Sequence, residues 1–267
     1  MLDLKQLTAD VCRIATEVGL FLKEERKNFR RERVVEKHAH DYVSYVDKES
    51  EVCVVKALTA LLPEAGFITE EGSAIYQDEP YCWVIDPLDG TTNYIHDEAP
   101  YCVSIALRSR TELLLGVVYE VCRDECFYAW KGGKAFMNGE EIHVSNVENI
   151  KDAFVITELP YNHLQYKQTA LHLIDQLYGV VGGIRMNGSA AAAICYVAIG
   201  RFDAWMEAFL GKWDYSAAAL IVQEAGGKVT NFYGEDHFIE GHHILATNGN
   251  LHPFFQKLLA EVPPLNM

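Results

Sequence analysis

Tyr81-Cys82-Trp83-Val84-Ile85-Asp86-Pro87-Leu88-Asp89-Gly90-Thr91-Thr92-Asn93-Tyr94-Ile95-His96 is the stretch around which the rest of the chain is best read. Tyr81 to Ile85 is apolar, β-branched and aromatic, the pattern of a buried strand. Pro87 fixes its own φ and biases Asp86 away from the helical region, so the strand is expected to end after Ile85 in a stiff bend. Gly90 permits a tight turn and close approach of a ligand to the backbone. Hard oxygen donors at the carboxyl end of a strand, followed by exposed N–H groups, suit a divalent cation and a phosphate together. The same residue types also build ordinary surface turns. The strand before them and Thr91-Thr92-Asn93 after them favour the functional reading.

The bulk composition limits what surrounds this corner. A chain of 267 residues buries a sizeable core in one large domain or two intimate lobes. With 49% hydrophobic residues it is globular, not disordered. The formal net charge of -15 disfavours nonspecific contact with nucleic acid or an anionic membrane. It also repels a phosphate substrate, unless bound cations invert the local sign. The seven cysteines are odd in number and scattered, and no second pair completes a zinc-like set with Cys122 and Cys126. A reducing, cytoplasmic setting is expected. Met1-Leu2-Asp3-Leu4-Lys5 lacks a basic region followed by an apolar one, so no signal peptide is expected, and no apolar run has the length of a membrane span.

Leu4, Leu7, Val11, Ile14, Val18 and Leu22 recur at helical spacing, which predicts a long amphipathic helix closing in the charged run Lys23–Arg33. Lys37–Tyr42 reads as a polar loop whose His38 and His40 are surface residues. Val43–Val46 reads as a short strand, and Asp47 precedes a second helix bearing Val52, Val55, Leu58 and Leu62. Phe67–Thr69 is a strand running into Glu70-Glu71. Strands are expected at Val103–Leu107, Leu113–Tyr119 and Glu125–Ala129, with a hairpin turn at Asn138-Gly139. Thereafter strands (Phe154–Thr157, Gly183–Met186, Asp203–Met206, Ile244–Thr247) alternate with helices (about 165–177, 190–197, 215–225 and 251–261), which is α/β character. A soft seam near 138–152 divides an N-terminal lobe, about 1–145, from a C-terminal lobe, about 146–267.

Four segments thus offer carboxylates at strand ends or helix starts: Asp47, Glu70, Asp86 with Asp89, and Asp214. Asp47 and Asp214 are also at home as helix caps. An acidic set without matching His or Cys favours Mg²⁺ over zinc.

On these residues the chain resembles the inositol monophosphatase family of lithium-sensitive, metal-dependent sugar phosphatases. The resemblance is carried by Trp83–Asn93 and by Trp213-Asp214-Tyr215-Ser216-Ala217-Ala218 continuing into Glu224-Ala225-Gly226-Gly227. Val46-Asp47, Phe67–Glu71 and Gly188-Ser189-Ala190-Ala191 support it, and it spans about Leu4–Glu261. It implies a layered αβαβα sandwich, a homodimer, and two or three Mg²⁺ ions. Glu70, Asp86, the Leu88 carbonyl, Asp89 and Asp214 would be the metal ligands. Glu70 would attend the nucleophilic water, with Thr91 and Asp47 as the pair that positions and deprotonates it. Gly90 and Thr91 N–H groups would hold the phosphate, and Gly188, Ala190, Glu207 and Asp214 would line the polyol pocket.

Three departures stand out. Thr69-Glu70-Glu71 replaces the family's Gly-Glu-Glu and is followed by an extra Gly72. Pro160-Tyr161 occupies the place of a pocket Ser, and the Lys37–Asp41 loop lacks the usual small residues. The implied activity is hydrolysis of inositol monophosphate, a small phosphorylated polyol, with neither nucleic acid nor membrane as partner. The alternatives are the same chemistry on a 3′-phosphoadenylate-type nucleotide, fructose 1,6-bisphosphate or histidinol phosphate, or a non-catalytic regulatory binding protein. Thr92-Asn93-Tyr94 resembles the inositol branch.

Overall fold

Every second side chain of the strand Tyr81–Asp89 points to the opposite face of its sheet, and both faces are apolar: Trp83 and Ile85 on one, Cys82 and Val84 on the other. A strand of this kind needs helices on both sides, and the computed structural model, which describes residues 2–38, 41–160, 163–236 and 238–262, supplies them. In chain order the elements are α1 (Leu4–Lys27), β1 (Val35–His38), β2 (Asp41–Val43), α2 (Tyr45–Leu61), β3 (Ala65–Thr69), β4 (Tyr81–Asp89), α3 (Thr91–His96), β5 (Cys102–Arg108), β6 (Leu113–Glu120) and β7 (Glu125–Trp130). They continue with β8 (Ala135–Met137), β9 (Glu140–Glu141), β10 (Phe154–Thr157), α4 (Lys167–Leu177), β11 (Gly183–Arg185), α5 (Ala190–Ala198), β12 (Ala204–Ala208), α6 (Lys212–Glu224), β13 (Lys228–Thr230), β14 (His243–Thr247) and α7 (His252–Ala260).

β3 to β9 form a seven-stranded sheet in sequence order, antiparallel except for the parallel β3–β4 pair. The second sheet has the order β11-β10-β12-β14-β13, and its β10 runs parallel to both neighbours. α1 and α2 cover one face of the first sheet through Val11, Leu22, Val54 and Leu58 packed on Trp83, Ile105 and Val117. α5 and α6 lie between the two sheets, joining Val84, Ala106 and Phe127 on one side to Ile156, Trp205 and Ala246 on the other. α4 and α7 cover the outer face of the second sheet with Leu173, Leu177 and Phe255. The layers therefore run αβαβα, as the resemblance implied. The central helices carry Ala190–Ala193 and Ala217–Ala219, small side chains that let two sheets close on one helical layer. At Gly116 of β6 an added Cβ would lie 2.4 Å from the Ala217 carbonyl oxygen, so this contact admits glycine alone.

The first sheet draws on residues 65–141 and the second on 154–247, and on that basis a division into lobes of about 1–145 and 146–267 is proposed. Three local expectations change. β4 does not stop at Ile85 but stays paired with β5 as far as Asp89↔Cys102, its register shifting between Asp86 and Asp89 where Pro87 removes a donor. Val43–Val46 is not a strand. Ser44 caps α2 instead, its Oγ accepting the Val46 N–H at 3.1 Å, so Tyr45 and Val46 begin a helix. The Lys37–Tyr42 segment belongs largely to the antiparallel β1–β2 pair, in which Glu36 faces Tyr42. The side chains of Lys37 and His38, and the residues His40 and Tyr161, fall outside the described residues. Among the described residues, no helix is long and apolar enough to cross a membrane.

Candidate functional site

A cleft of about 250 Å³ opens where the carboxyl ends of β3 and β4 meet the starts of α5 and α6. Glu70 lies one residue beyond β3. Its turn is held by the buried Glu51 of α2, whose two carboxylate oxygens accept the N–H groups of Glu71 and Ser73, each at 2.8 Å. The extra Gly72 in this turn has φ +72° and open space around its Cα, so the departure from the family pattern is accommodated as a left-handed turn residue.

The bend of β4 delivers the next groups. Asp86 is buried, and its Oδ1 accepts the Leu88 N–H at 2.9 Å. Asp89 accepts from the Ser189 hydroxyl at 2.5 Å, from the N–H groups of Ala190 (3.2 Å) and Ala191 (2.8 Å), and from the Cys102 thiol at 3.4 Å. It thereby ties β4 to the first turn of α5. Gly90, at φ +92°, turns the chain into α3. An alanine Cβ there would meet the Pro100 carbonyl oxygen at 3.0 Å and the Ser189 Cβ at 3.2 Å. Thr91 Oγ1 lies 2.8 Å from Asp47 Oδ1 and 3.0 Å from the Leu88 carbonyl oxygen. Asp47 is fully buried in the first turn of α2, where Oδ2 also accepts the Ser44 N–H (2.9 Å) and hydroxyl (2.6 Å). Asp214 occupies the equivalent place in α6 and accepts the Gly211 N–H at 2.7 Å. Both aspartates are therefore third-position partners of a helix start, not the caps themselves.

Of the residues singled out from sequence, Glu70, Asp89, Gly90, Thr91, Gly188, Ala190, Glu207 and Asp214 line the cleft. Asp86 and Leu88, in the β4 bend, are not among the residues that line it, and Asp47 joins through Thr91. Sequence reading missed Ser189, which lay inside a quoted segment but was passed over for its neighbours. It also missed Glu158, which lines the same cleft one residue beyond β10. The signal for Glu158 was the one used for Glu70, a carboxylate just past a predicted strand.

The electrostatics are one-sided. No Lys or Arg lines the cleft among the described residues. Burial raises the Asp86 carboxyl well above the ordinary range, and the charges of Glu70, Asp89 and Asp214 raise it further. Asp89 is also raised by burial, despite its four donors. Burial raises Glu207 well above its usual value, with Glu158, Asp214 and Asp89 adding to the effect, and pushes Glu158 up to about 7. Such a group of carboxylates repels phosphate unless cations are bound. The donors are all oxygen and hard, which fits Mg²⁺ in type. Among the described residues no three Asp, Glu, His or Cys side chains are already drawn together as a chelating group. Asp89 and Asp214 instead turn carboxylate oxygens onto N–H and O–H donors.

The sequence profile of the inositol monophosphatase family matches residues 3–263. The chain belongs to that family. It is 40% identical over 236 residues to a Pseudomonas aeruginosa protein named Nus factor SuhB, covering 86% of each chain. It is 35% identical over 274 residues to an inositol monophosphatase of Dictyostelium discoideum, covering 99% of each. The solved structure of an Anabaena inositol monophosphatase matches with a TM-score of 0.88 at 31% identity, covering 99% of both chains. The inositol monophosphatase family therefore accounts for the layer order described above as well as for the β4 corner.

Proposed function

We propose that this chain is a Mg²⁺-dependent phosphomonoesterase that hydrolyses inositol monophosphate to inositol and phosphate. The observation that carries the reading is a cleft lined by Glu70, Asp89 and Asp214, from the ends of β3 and β4 and the start of α6, with no Lys or Arg among its described lining residues. That combination binds a phosphate ester only together with cations. Glu70, Asp86, the Leu88 carbonyl, Asp89 and Asp214 would hold two or three Mg²⁺ ions. When bound, these ions supply a water of lowered pKa and neutralise charge on the leaving oxygen.

The remaining work falls to this chain's own groups. The Thr91 hydroxyl, whose proton is engaged by Asp47 at 2.8 Å, presents its oxygen to accept a hydrogen bond from the attacking water. Asp47, raised by burial, is suited to receive the proton passed through that hydroxyl. Glu70, just beyond the neighbouring parallel strand β3, would orient the same water. The N–H groups of Gly90 and Thr91, ahead of the intrahelical bonds of α3, hold phosphate oxygens. Gly188, Ala190, Glu207 and Asp214 face the polyol. We also propose that the protein acts as a cytoplasmic homodimer and is inhibited by Li⁺.

A second reading, a regulatory factor acting through a macromolecular partner, is favoured by the 40% identical relative named Nus factor SuhB. The two are separated by assaying phosphate release with Mg²⁺ across inositol 1-phosphate, fructose 1,6-bisphosphate, a 3′-phosphoadenylate-type nucleotide and histidinol phosphate. The inositol ester should be the preferred substrate. No turnover on any ester would leave the regulatory reading standing alone.

A further inference from the structure

The wall of the cleft facing the β4 corner holds a second acidic pair. β10 and β12 are neighbouring parallel strands, registered Thr157↔Met206. The next residues, Glu158 and Glu207, are therefore lateral neighbours about 4.8 Å apart along the hydrogen-bonding direction, with side chains on the same face. Both line the cleft.

Glu158 is only 6% exposed, and its two oxygens do different things. Oε1 accepts the N–H groups of Asn187 at 2.7 Å and Gly188 at 3.2 Å. Asn93 Nδ2 holds the Asn187 carbonyl at 2.7 Å, and Asp89 holds the segment's far end through Ser189, Ala190 and Ala191. The turn at Gly188, with φ +73°, is thus pinned from both sides. Glu158 Oε2 makes no hydrogen bond among the described residues. Because Glu158 lines the cleft, this oxygen is open to a hydrogen-bond donor from a ligand, in a wall where no Lys or Arg competes for it. Hydroxyl groups supply such donors without adding charge, whereas a second phosphate would bring its own charge against an acidic wall with no Lys or Arg to balance it.

We propose that Glu158 is a specificity-determining residue whose Oε2, beside the Glu207 carboxylate, accepts a hydrogen bond from a hydroxyl of the leaving alcohol. The pair thereby selects monophosphates of neutral polyols and excludes esters carrying a second phosphate. This inference rests on the phosphatase reading above and names the feature of the substrate that the site recognises.

The test compares wild type with Glu158→Gln and Glu158→Ala on inositol 1-phosphate, p-nitrophenyl phosphate and fructose 1,6-bisphosphate, each with Mg²⁺. Calorimetric binding of inositol 1-phosphate is measured alongside. Glutamine keeps an Oε1 acceptor for Asn187 and Gly188, so E158Q preserves the turn. In both variants kcat/KM should fall at least about tenfold more for inositol 1-phosphate than for the aryl ester, mostly through KM, because an unmatched polar wall discriminates by hydroxyl content. The relative rate on the bisphosphate should rise. Equal loss on every substrate in E158Q, or no loss, overturns the proposal. If wild type releases phosphate from no ester, the phosphatase reading fails and the binding measurement decides this one. Inositol 1-phosphate bound about tenfold more weakly by E158Q than by wild type sustains it, and equal or absent binding overturns it.

Discussion

The two sides of the cleft are both acidic but are assembled in opposite ways. On one side, Asp86 and Asp89 come from a single strand within four consecutive residues, and Gly90 and Thr91 follow at once. On the other, Glu158, Gly188 and Glu207 arrive from three separate segments that meet only because β10 pairs with β12 and α5 packs between the sheets. The charges also have different surroundings. Glu70, Asp89 and Asp214 all raise Asp86, an arrangement suited to cations. The carboxylate of Glu158 is half engaged by backbone N–H groups, an arrangement suited to a neutral ligand with hydroxyls. Clustered carboxylates of one sign bind ions; a carboxylate with one oxygen engaged and the other open to the cleft reads hydrogen-bond donors.

The largest effect that would break this contrast is at Asp86. In the proposed phosphatase Asp86→Asn should lower kcat/KM by about a thousandfold or more, because it removes a charge that would hold the cation. In metal-free buffer the same substitution should leave the thermal melt unchanged or raise it, because it relieves repulsion with Glu70, Asp89 and Asp214. A lowered melt would mean that the β4 corner is held by Asp86 as a structural turn residue.

Glu158 should respond to pH instead. Its folded carboxyl titrates near 7 against 4.5 for the ordinary side chain, so the folded state keeps a proton that the unfolded state releases. That stabilisation is complete below 4.5 and lost as pH rises to 7. Glutamine does not titrate, so the stability of E158Q relative to wild type should grow by up to about 3 kcal/mol across that interval. Urea denaturation of the metal-free proteins reads it. His252, pushed down to about 4 by burial, works in the other direction as pH falls below 6.5, but it is common to both proteins and cancels.

Gly90→Ala sharpens the corner itself. It forces a Cβ onto φ +92° and against Pro100 O, and should cost about 1–2 kcal/mol of stability together with a fall in kcat as the Gly90 and Thr91 N–H groups shift. The smallest effect should come from Ser189→Ala, which removes one of four donors to Asp89 and should cost about 1 kcal/mol in the metal-free protein. That cost should shrink when Mg²⁺ is added, as measured by the difference in melting temperature with and without the ion.

The same contrast explains how much was legible in the sequence. The β4 corner could be read because its donors are contiguous and Pro87 and Gly90 announce the bend. The layer order followed from the family resemblance, whereas strands alternating with helices indicated only α/β character. Asp47 and Asp214 were ambiguous between cap and ligand because one residue type serves both. In the folded chain each sits one turn inside its helix and reaches back, at Ser44 and Gly211 respectively. The β1–β2 pair was missed because Lys37–Tyr42 is polar throughout and its pairing depends on Val35 opposite Val43. On the far wall Glu158 offered only the weak signal of a carboxylate just past a predicted strand, and nothing local links it to a glycine turn formed after α4 and β11 have intervened. Glu207 entered only through the family motif.

The central claim is that the carboxylates of the β4 corner make this chain a cation-dependent phosphatase. It is tested most directly by phosphate release from inositol 1-phosphate by the purified chain, titrated with Mg²⁺ from zero, in parallel with Asp89→Asn. The account predicts release that requires Mg²⁺, saturates with it, and is abolished in the variant. Release that persists in chelator, or that survives intact in Asp89→Asn, would contradict it.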